Sequence, residues 1–175
     1  MDYQEIKLLD SEQISALSKM ATAILREHYD AIVGVKQNDY MLAKFQSIDG
    51  ITEQLKNGYK YYFVRCNNEN IGFIAYYVRK DDLYLSKFYL RKDQRGKGIA
   101  RDMLKFLVNN AKFYNRQSIV VNVNKQNSSI KIYEKLGFVR IGAEKIDIGQ
   151  GYYMDDYIYK YIIDWTKGET YGNTS

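Results

Sequence analysis

The sequence predicts an α/β domain in which a mixed, mostly antiparallel sheet carries helices on both faces. Three features predict it: alternating, tyrosine-rich segments joined by polar turns between Tyr59 and Leu90, a strand, helix, strand succession from Leu83 to Asn124, and two alternating segments that close the chain. The first is an antiparallel meander. The second implies a parallel pair, because a crossover helix returns the chain beside its previous strand in the same direction. With 175 residues, 46% of them apolar, and neither proline nor a Ser/Gly-rich linker, the chain fits a single domain over residues 1–166 and a flexible tail over 167–175.

Taken in order, "YQEIKLL" from Tyr3 alternates as a first strand. Asp10 or Ser11 then caps a helix whose Ile14, Leu17, Met20, Ala21 and Ile24 recur at helical spacing as far as about His28. "DYMLAKF" and "ITEQLKN", separated by a break at Gly50, read as two short helical pieces. "YKYYFVRC", "IGFIAYYVR" and "LYLSKFYL" are the meander strands, with turns at "NNEN" and "KDD". "GIARDMLKFLVNNAKFY" is a helix, "SIVVNVN" a strand, and "SSIKIYEKL" a short helix that Gly137 terminates. "FVRIGAEKI" and "YYMDDYIYKYII" are the closing strands, and the edge of the last of them is a candidate homodimer contact.

One cysteine, Cys66, excludes an internal disulfide, and with one histidine, His28, no His/Cys metal cluster can be assembled. The N-terminal "MDYQEIKLLD" lacks the order of a signal peptide, and no apolar run reaches 18 residues, so a cytoplasmic protein away from the membrane is expected. The net charge of +5 suits an anionic partner. Its basic residues are scattered apart from a cluster over 91–105, which argues for a phosphorylated small molecule over nucleic acid.

That cluster holds the turn Arg95-Gly96-Lys97-Gly98-Ile99-Ala100 between the third meander strand and the following helix. Free N–H groups at a helix start, the helix dipole and the lack of Cβ atoms favour an anion such as a pyrophosphate. Neither nucleotide fingerprint fits. G-x-x-x-x-G-K-[ST] is absent, and Arg101 stands where G-x-G-x-x-G needs its third glycine.

Arg95-x-x-Gly98-x-Ala100, together with Tyr133-Glu134-Lys135-Leu136-Gly137-Phe138 after the next strand, resembles the GNAT superfamily of N-acetyltransferases. The resemblance implies acetyl-CoA as cosubstrate, no metal, and an amine of a small molecule or of a peptide or protein as acceptor. It implies that the amides of Gly96, Lys97, Gly98, Ile99, Ala100 and Arg101 hold the pyrophosphate beside Arg95. It also implies that the main chain of Phe88, Tyr89 and Leu90 pairs with the pantetheine where the sheet splays, that Asn127 binds the pantetheine or thioester region, although the usual spacing would put that asparagine at Gln126, and that Tyr133 protonates the departing thiolate.

Ser86 departs from that pattern, because many relatives carry there an acidic residue that takes the amine proton, and a serine is no base unaided. Asp155, Asp156, Glu134, Tyr84 and His28 remain as alternatives. Of the 18 tyrosines, some suit half-buried strand positions and some an amine-binding pocket. A non-catalytic acyl-CoA-binding domain, and an enzyme acetylating aminoacyl-tRNA, are the competing functions.

Overall fold

The computed structural model describes residues 1–167, so the tail expected over 167–175 lies, apart from Lys167, outside the described residues. Seven strands form one sheet in the order β1-β2-β3-β4-β5-β7-β6, with only β4 and β5 parallel. They are β1 (Asp2–Glu5), β2 (Lys60–Cys66), β3 (Glu69–Val78), β4 (Asp82–Leu90), β5 (Ser118–Asn124), β6 (Val139–Gly149) and β7 (Tyr152–Ile162). Helices α1 (Ser11–Val33), α2 (Val35–Met41) and α3 (Ile48–Lys56) cover one side of the sheet, and α4 (Ile99–Phe113) and α5 (Ile130–Leu136) the other. No helix among the described residues is long and apolar enough to cross a membrane.

Each face has its own core because side chains alternate along a strand. Tyr61, Phe63, Phe73 and Ala75 meet Ile14, Leu17, Ala21 and Ile24 of α1. Their neighbours Val64, Ile74 and Tyr76 join Leu83, Leu85, Ile119 and Val121 against Met103, Leu104 and Leu107 of α4. Burial of such side chains is worth about 1.5–3 kcal/mol apiece, and it is what fixes both helical layers to the sheet.

The N-terminal third differs from expectation in three places. β1 stops at Glu5, because Leu8 and Leu9 are exposed and only Ile6, whose N–H reaches the Tyr61 carbonyl at 2.9 Å, continues inward. Helix α1, capped by Asp10 through the Gln13 N–H at 3.1 Å, passes His28 and runs to Val33, where Gly34 at φ 86° ends it. The helical pieces that follow divide at Ser47, not Gly50. Ser47 caps α3 by accepting the Gly50 N–H at 3.0 Å, and a Cβ on Gly50 would come 2.5 Å from the Lys44 carbonyl oxygen. Between α2 and Ser47 the chain makes a π-helical turn, Leu42–Gln46, which closes against α3.

Two irregularities in β4 shape everything that follows. Ala75 of β3 faces Lys87 while Tyr76 faces Leu85, so Ser86 is an extra residue, a bulge. The parallel ladder pairs only Asp82–Leu85 with Ser118–Val121, after which β4 and β5 part. The closing hairpin carries a correction: β7 lies between β5 and β6, so the last strand has no free edge for a second subunit, and the open edges belong to β1 and β6.

Candidate active site

The turn that follows β4 is built to leave donors unused. After a short 3₁₀ turn, Lys92–Gln94, both Gly96 (φ 75°) and Gly98 (φ 78°) take the left-handed conformation that costs other residues about 1–2 kcal/mol. Gly98 is the N-cap of α4 and offers no side-chain acceptor, so the N–H groups of Ile99, Ala100 and Arg101 have no cap. Lys97 and Arg101 flank them, exposed. Arg95 points the other way, donating from Nε and Nη2 to the Leu90 carbonyl at 3.1 Å each, and so fastens the turn to the end of β4. At the same place Gly72 of β3 faces Leu90, and a Cβ there would fall on the Tyr89 carbonyl oxygen.

From this turn a cavity of about 120 Å³ follows the α4 and α5 side of the parted strands, lined by Arg95, Ala100, Phe88, Leu90, His28 and Tyr133 among others. Tyr133 is buried on α5, its ring 5.8 Å from Phe88 and edge-on to Phe138 at 5.4 Å. Gly137, left-handed at φ 106°, ends α5 and lets Phe138 turn into the core. Burial drives the Tyr133 hydroxyl far above its ordinary pKa, with Tyr29 adding to the shift, so it stays protonated. No hydrogen-bond partner for this hydroxyl occurs among the described residues.

Asn127 is buried and occupied. Its Oδ1 accepts the Ser129 N–H at 2.8 Å, which fixes the orientation of the carboxamide. His28 Nε2, 2.8 Å from the same oxygen, must therefore donate. The amide nitrogen donates to Tyr29 Oη at 3.2 Å, and Tyr29 Oη lies 2.9 Å from Tyr89 Oη. This chain ties the second half of α1 to β4 and to the loop before α5. Burial pushes the His28 imidazole below its usual range against the pull of the Asn127 hydrogen bond, with Arg95 adding to the depression, which suits a neutral ring.

A second cavity, about 230 Å³, opens on the α1, α2 and α3 side of the same gap, and Tyr89 lines both. Tyr29, Tyr59, Tyr77, Tyr84 and Tyr153 supply aromatic wall, and Leu25, Val33, Met41 and Phe45 apolar wall. The β6–β7 hairpin contributes Tyr153 and Met154 to its wall and is held against α2 and the π-helical turn. Tyr40 Oη and Lys44 Nζ donate to the Ile148 carbonyl at 2.6 and 2.7 Å, and Gln37 Nε2 to the Tyr153 carbonyl at 2.7 Å.

Two opposite charges face this cavity. Asp156 is 4% exposed, and burial raises its carboxyl to about 6, with Asn122 and Lys87 pulling back and Glu144 and Asp155 adding to the rise. Burial lowers the Lys87 ammonium to about 8 against the attraction of Asp156. Its only hydrogen bonds are long ones to Ser86 O and Oγ, 3.4 and 3.5 Å, so no carboxylate among the described residues is paired with it.

The residues singled out by sequence thus gather around one opening. Phe88, Tyr89 and Leu90 lie along the part of β4 that β5 does not pair, and Gly96 to Arg101 lie beyond its end. Among the alternative bases, Asp156 and Tyr84 face the larger cavity, His28 lines the smaller, and Glu134 accepts the Tyr159 hydroxyl at 2.8 Å on the α4 and α5 side. Lys87 is the residue that sequence reasoning missed. Plain alternation puts it on the face of Leu83 and Leu85, and the bulge at Ser86 turns it over.

A family model described as an acetyltransferase (GNAT) domain matches residues 29–151. No curated protein sequence matches the chain. Among solved structures, the fold is similar to the PaiA N-acetyltransferase of Thermoplasma acidophilum in complex with coenzyme A, at TM-score 0.73 and 19% identity, covering 93% of this chain and 99% of that one. It is similar also to a GCN5-related N-acetyltransferase from Rhodopseudomonas palustris, at TM-score 0.75 and 11% identity over 92% and 94% of the two chains. RimL, a ribosomal L7/L12 α-N-protein acetyltransferase in complex with coenzyme A, gives TM-score 0.63 and 19% identity over 93% of both chains.

Proposed function

The chain belongs to the GNAT family of acetyltransferases, and from that premise we propose that it acetylates a primary amine of a small molecule, with Asp156 as the base. Acetyl-CoA is the cosubstrate, and it supplies the activated acetyl carbonyl and a thiolate leaving group. The observation that carries the reading is the pair of cavities that share Tyr89 as a wall, beside the stretch where β4 and β5 no longer pair. One of them leads to an uncapped helix start, and the other holds a buried carboxylate.

The residues divide the work accordingly. The uncapped amides of Ile99, Ala100 and Arg101 bind the pyrophosphate, with Lys97 and Arg101 adding charge. The unpaired edge of Phe88, Tyr89 and Leu90 takes the pantetheine as a further strand. A main-chain N–H at the end of β4 faces the thioester oxygen and stabilises the charge that develops there.

Asp156 removes the proton of the attacking amine, directly or through one water. A carboxyl held near 6 suits this, because it is ionised at neutral pH yet basic enough to accept a proton. Tyr133, kept protonated by burial, gives its proton to the departing thiolate. One proton is taken and one given, so the charges balance over the cycle. Asn127, its oxygen already filled by His28 and Ser129, acts by holding Tyr29 and the loop before α5 in place.

The test is thermal melting with and without acetyl-CoA, followed by thiol release in the presence of amines. Saturation at about 100 times Kd adds roughly 2.7 kcal/mol, a rise in Tm of about 5–10 °C for a chain of this size. Stabilisation without thiol release from any amine would favour a non-catalytic acyl-CoA-binding domain instead.

A further inference from the structure

The larger cavity carries more information than the presence of a base. Among the polar groups that line it, two are charged: one cation, Lys87 on β4, and one anion, Asp156 on β7. A half-buried ammonium with no carboxylate hydrogen-bonded to it is favoured when something of opposite charge arrives to share the site. Asp156 is already committed to the amine end of the acceptor. Lys87 is left to hold an anionic group on the same molecule.

The remaining walls narrow the choice. Leu25, Val33, Met41, Phe45, Tyr59 and Tyr77 surround the charges with apolar and aromatic surface, which fits a hydrophobic side chain. The volume, about 230 Å³, is that of a site for a small molecule. The β6–β7 hairpin adds Tyr153 and Met154 to the wall, held to α2 through Gln37.

We propose that the acceptor is a free amino acid with an apolar or aromatic side chain, its amine beside Asp156 and its carboxylate on Lys87. This rests on the acetyl-transfer reading above. A peptide N-terminus is the discriminating competitor. It presents a neutral amide where the free amino acid has its carboxylate, and it would leave the half-buried Lys87 without an anionic partner.

The experiment compares thiol release from acetyl-CoA with matched acceptors: L-leucine, L-leucinamide and 3-methylbutylamine, then L-phenylalanine, L-phenylalaninamide and phenethylamine. The expected result is a kcat/KM at least tenfold higher for each acid than for its amide or its decarboxylated amine, at a pH below 8. In Lys87→Met that preference shrinks toward one, mainly through KM, and Lys87→Arg restores part of it. Amides or simple amines turned over as fast as the acids overturn the proposal. So does acetyl-CoA stabilisation accompanied by no thiol release from any of the six. Failure of acetyl-CoA to raise Tm would instead remove the transfer reading on which the proposal stands.

Discussion

Asp155 and Asp156 are consecutive on β7, yet they serve opposite faces of the sheet. Asp155 is exposed and pairs with Lys125 at 3.1 Å, while Asp156 is buried beside the cavity that Lys87 and Tyr89 line. Strand alternation alone produces the difference.

It follows that Asp156→Asn lowers kcat by roughly 10²–10⁴-fold, the usual worth of a positioned base, and Asp155→Asn changes it less than about threefold. The pH profile gives the sign. Asp156 must be ionised to act, and its carboxyl sits near 6, so kcat/KM falls tenfold per unit below about pH 6. The groups that bear on it are Asn122 from β5, Lys87, Tyr84 and Tyr89 from β4, Tyr29 from α1, Glu144 from β6 and its neighbour Asp155. Steady-state kinetics between pH 5 and 9 test this, and an acid limb that survives Asp156→Asn would assign the base elsewhere.

Tyr133→Phe keeps the ring that packs against Phe88 and Phe138 and removes only the hydroxyl. The expected result is an unchanged Tm, unchanged acetyl-CoA affinity and a kcat lower by about 10²-fold or more. A variant with full kcat would make Tyr133 a core residue and nothing else.

Gly98→Ala isolates the backbone of the anion turn. A Cβ there meets nothing within 4 Å, so the penalty comes only from φ 78°. We expect about 1 kcal/mol, seen as a Tm lower by roughly 2–4 °C, and a larger relative loss in acetyl-CoA binding by calorimetry.

Replacing both charges of the acceptor cavity reverses the usual effect of mutation. In the folded protein Lys87 is held below and Asp156 above their ordinary pKa values, so each charge is less favourable there than in the unfolded chain. Asp156's folded pKa exceeds its unfolded one, so the stability it adds in acid is lost as pH rises through about 4 to 6. Lys87→Met with Asp156→Asn should therefore raise Tm at pH 7 by roughly 2–10 °C while abolishing turnover. A lower Tm would mean that the two charges stabilise each other in the empty cavity more than burial costs them.

Much of this was legible from sequence because it rests on periodicity and glycine. Alternation located the strands from Lys60 to Leu90, and Gly96, Gly98 and Gly137 marked a turn and a helix end that require positive φ. The parting of β4 and β5 followed from the resemblance, since no residue in either strand announces it. Lys87 stayed hidden because a bulge is a property of pairing between strands: nothing in "LYLSKFYL" says which residue β3 will skip. The π-helical turn at Leu42–Gln46 escaped for a similar reason, being closed by contacts with α3 and with Ser18, whose hydroxyl donates to the Gln46 carbonyl at 2.6 Å.

The short parallel ladder has a consequence for how the molecule opens. Among the described residues, the strand ladder that joins the β1 to β4 half of the sheet to the half made of β5, β7 and β6 is only four residue pairs long, Asp82–Leu85 with Ser118–Val121. Beyond Leu85 the amide protons of β4 that point toward β5 have no strand to bind. They should exchange with deuterium early, and saturating acetyl-CoA should slow them more than any other amides in the sheet. The cosubstrate would then act as the missing stretch of seam, and the resistance of the two halves to being pulled apart would become a measure of its concentration.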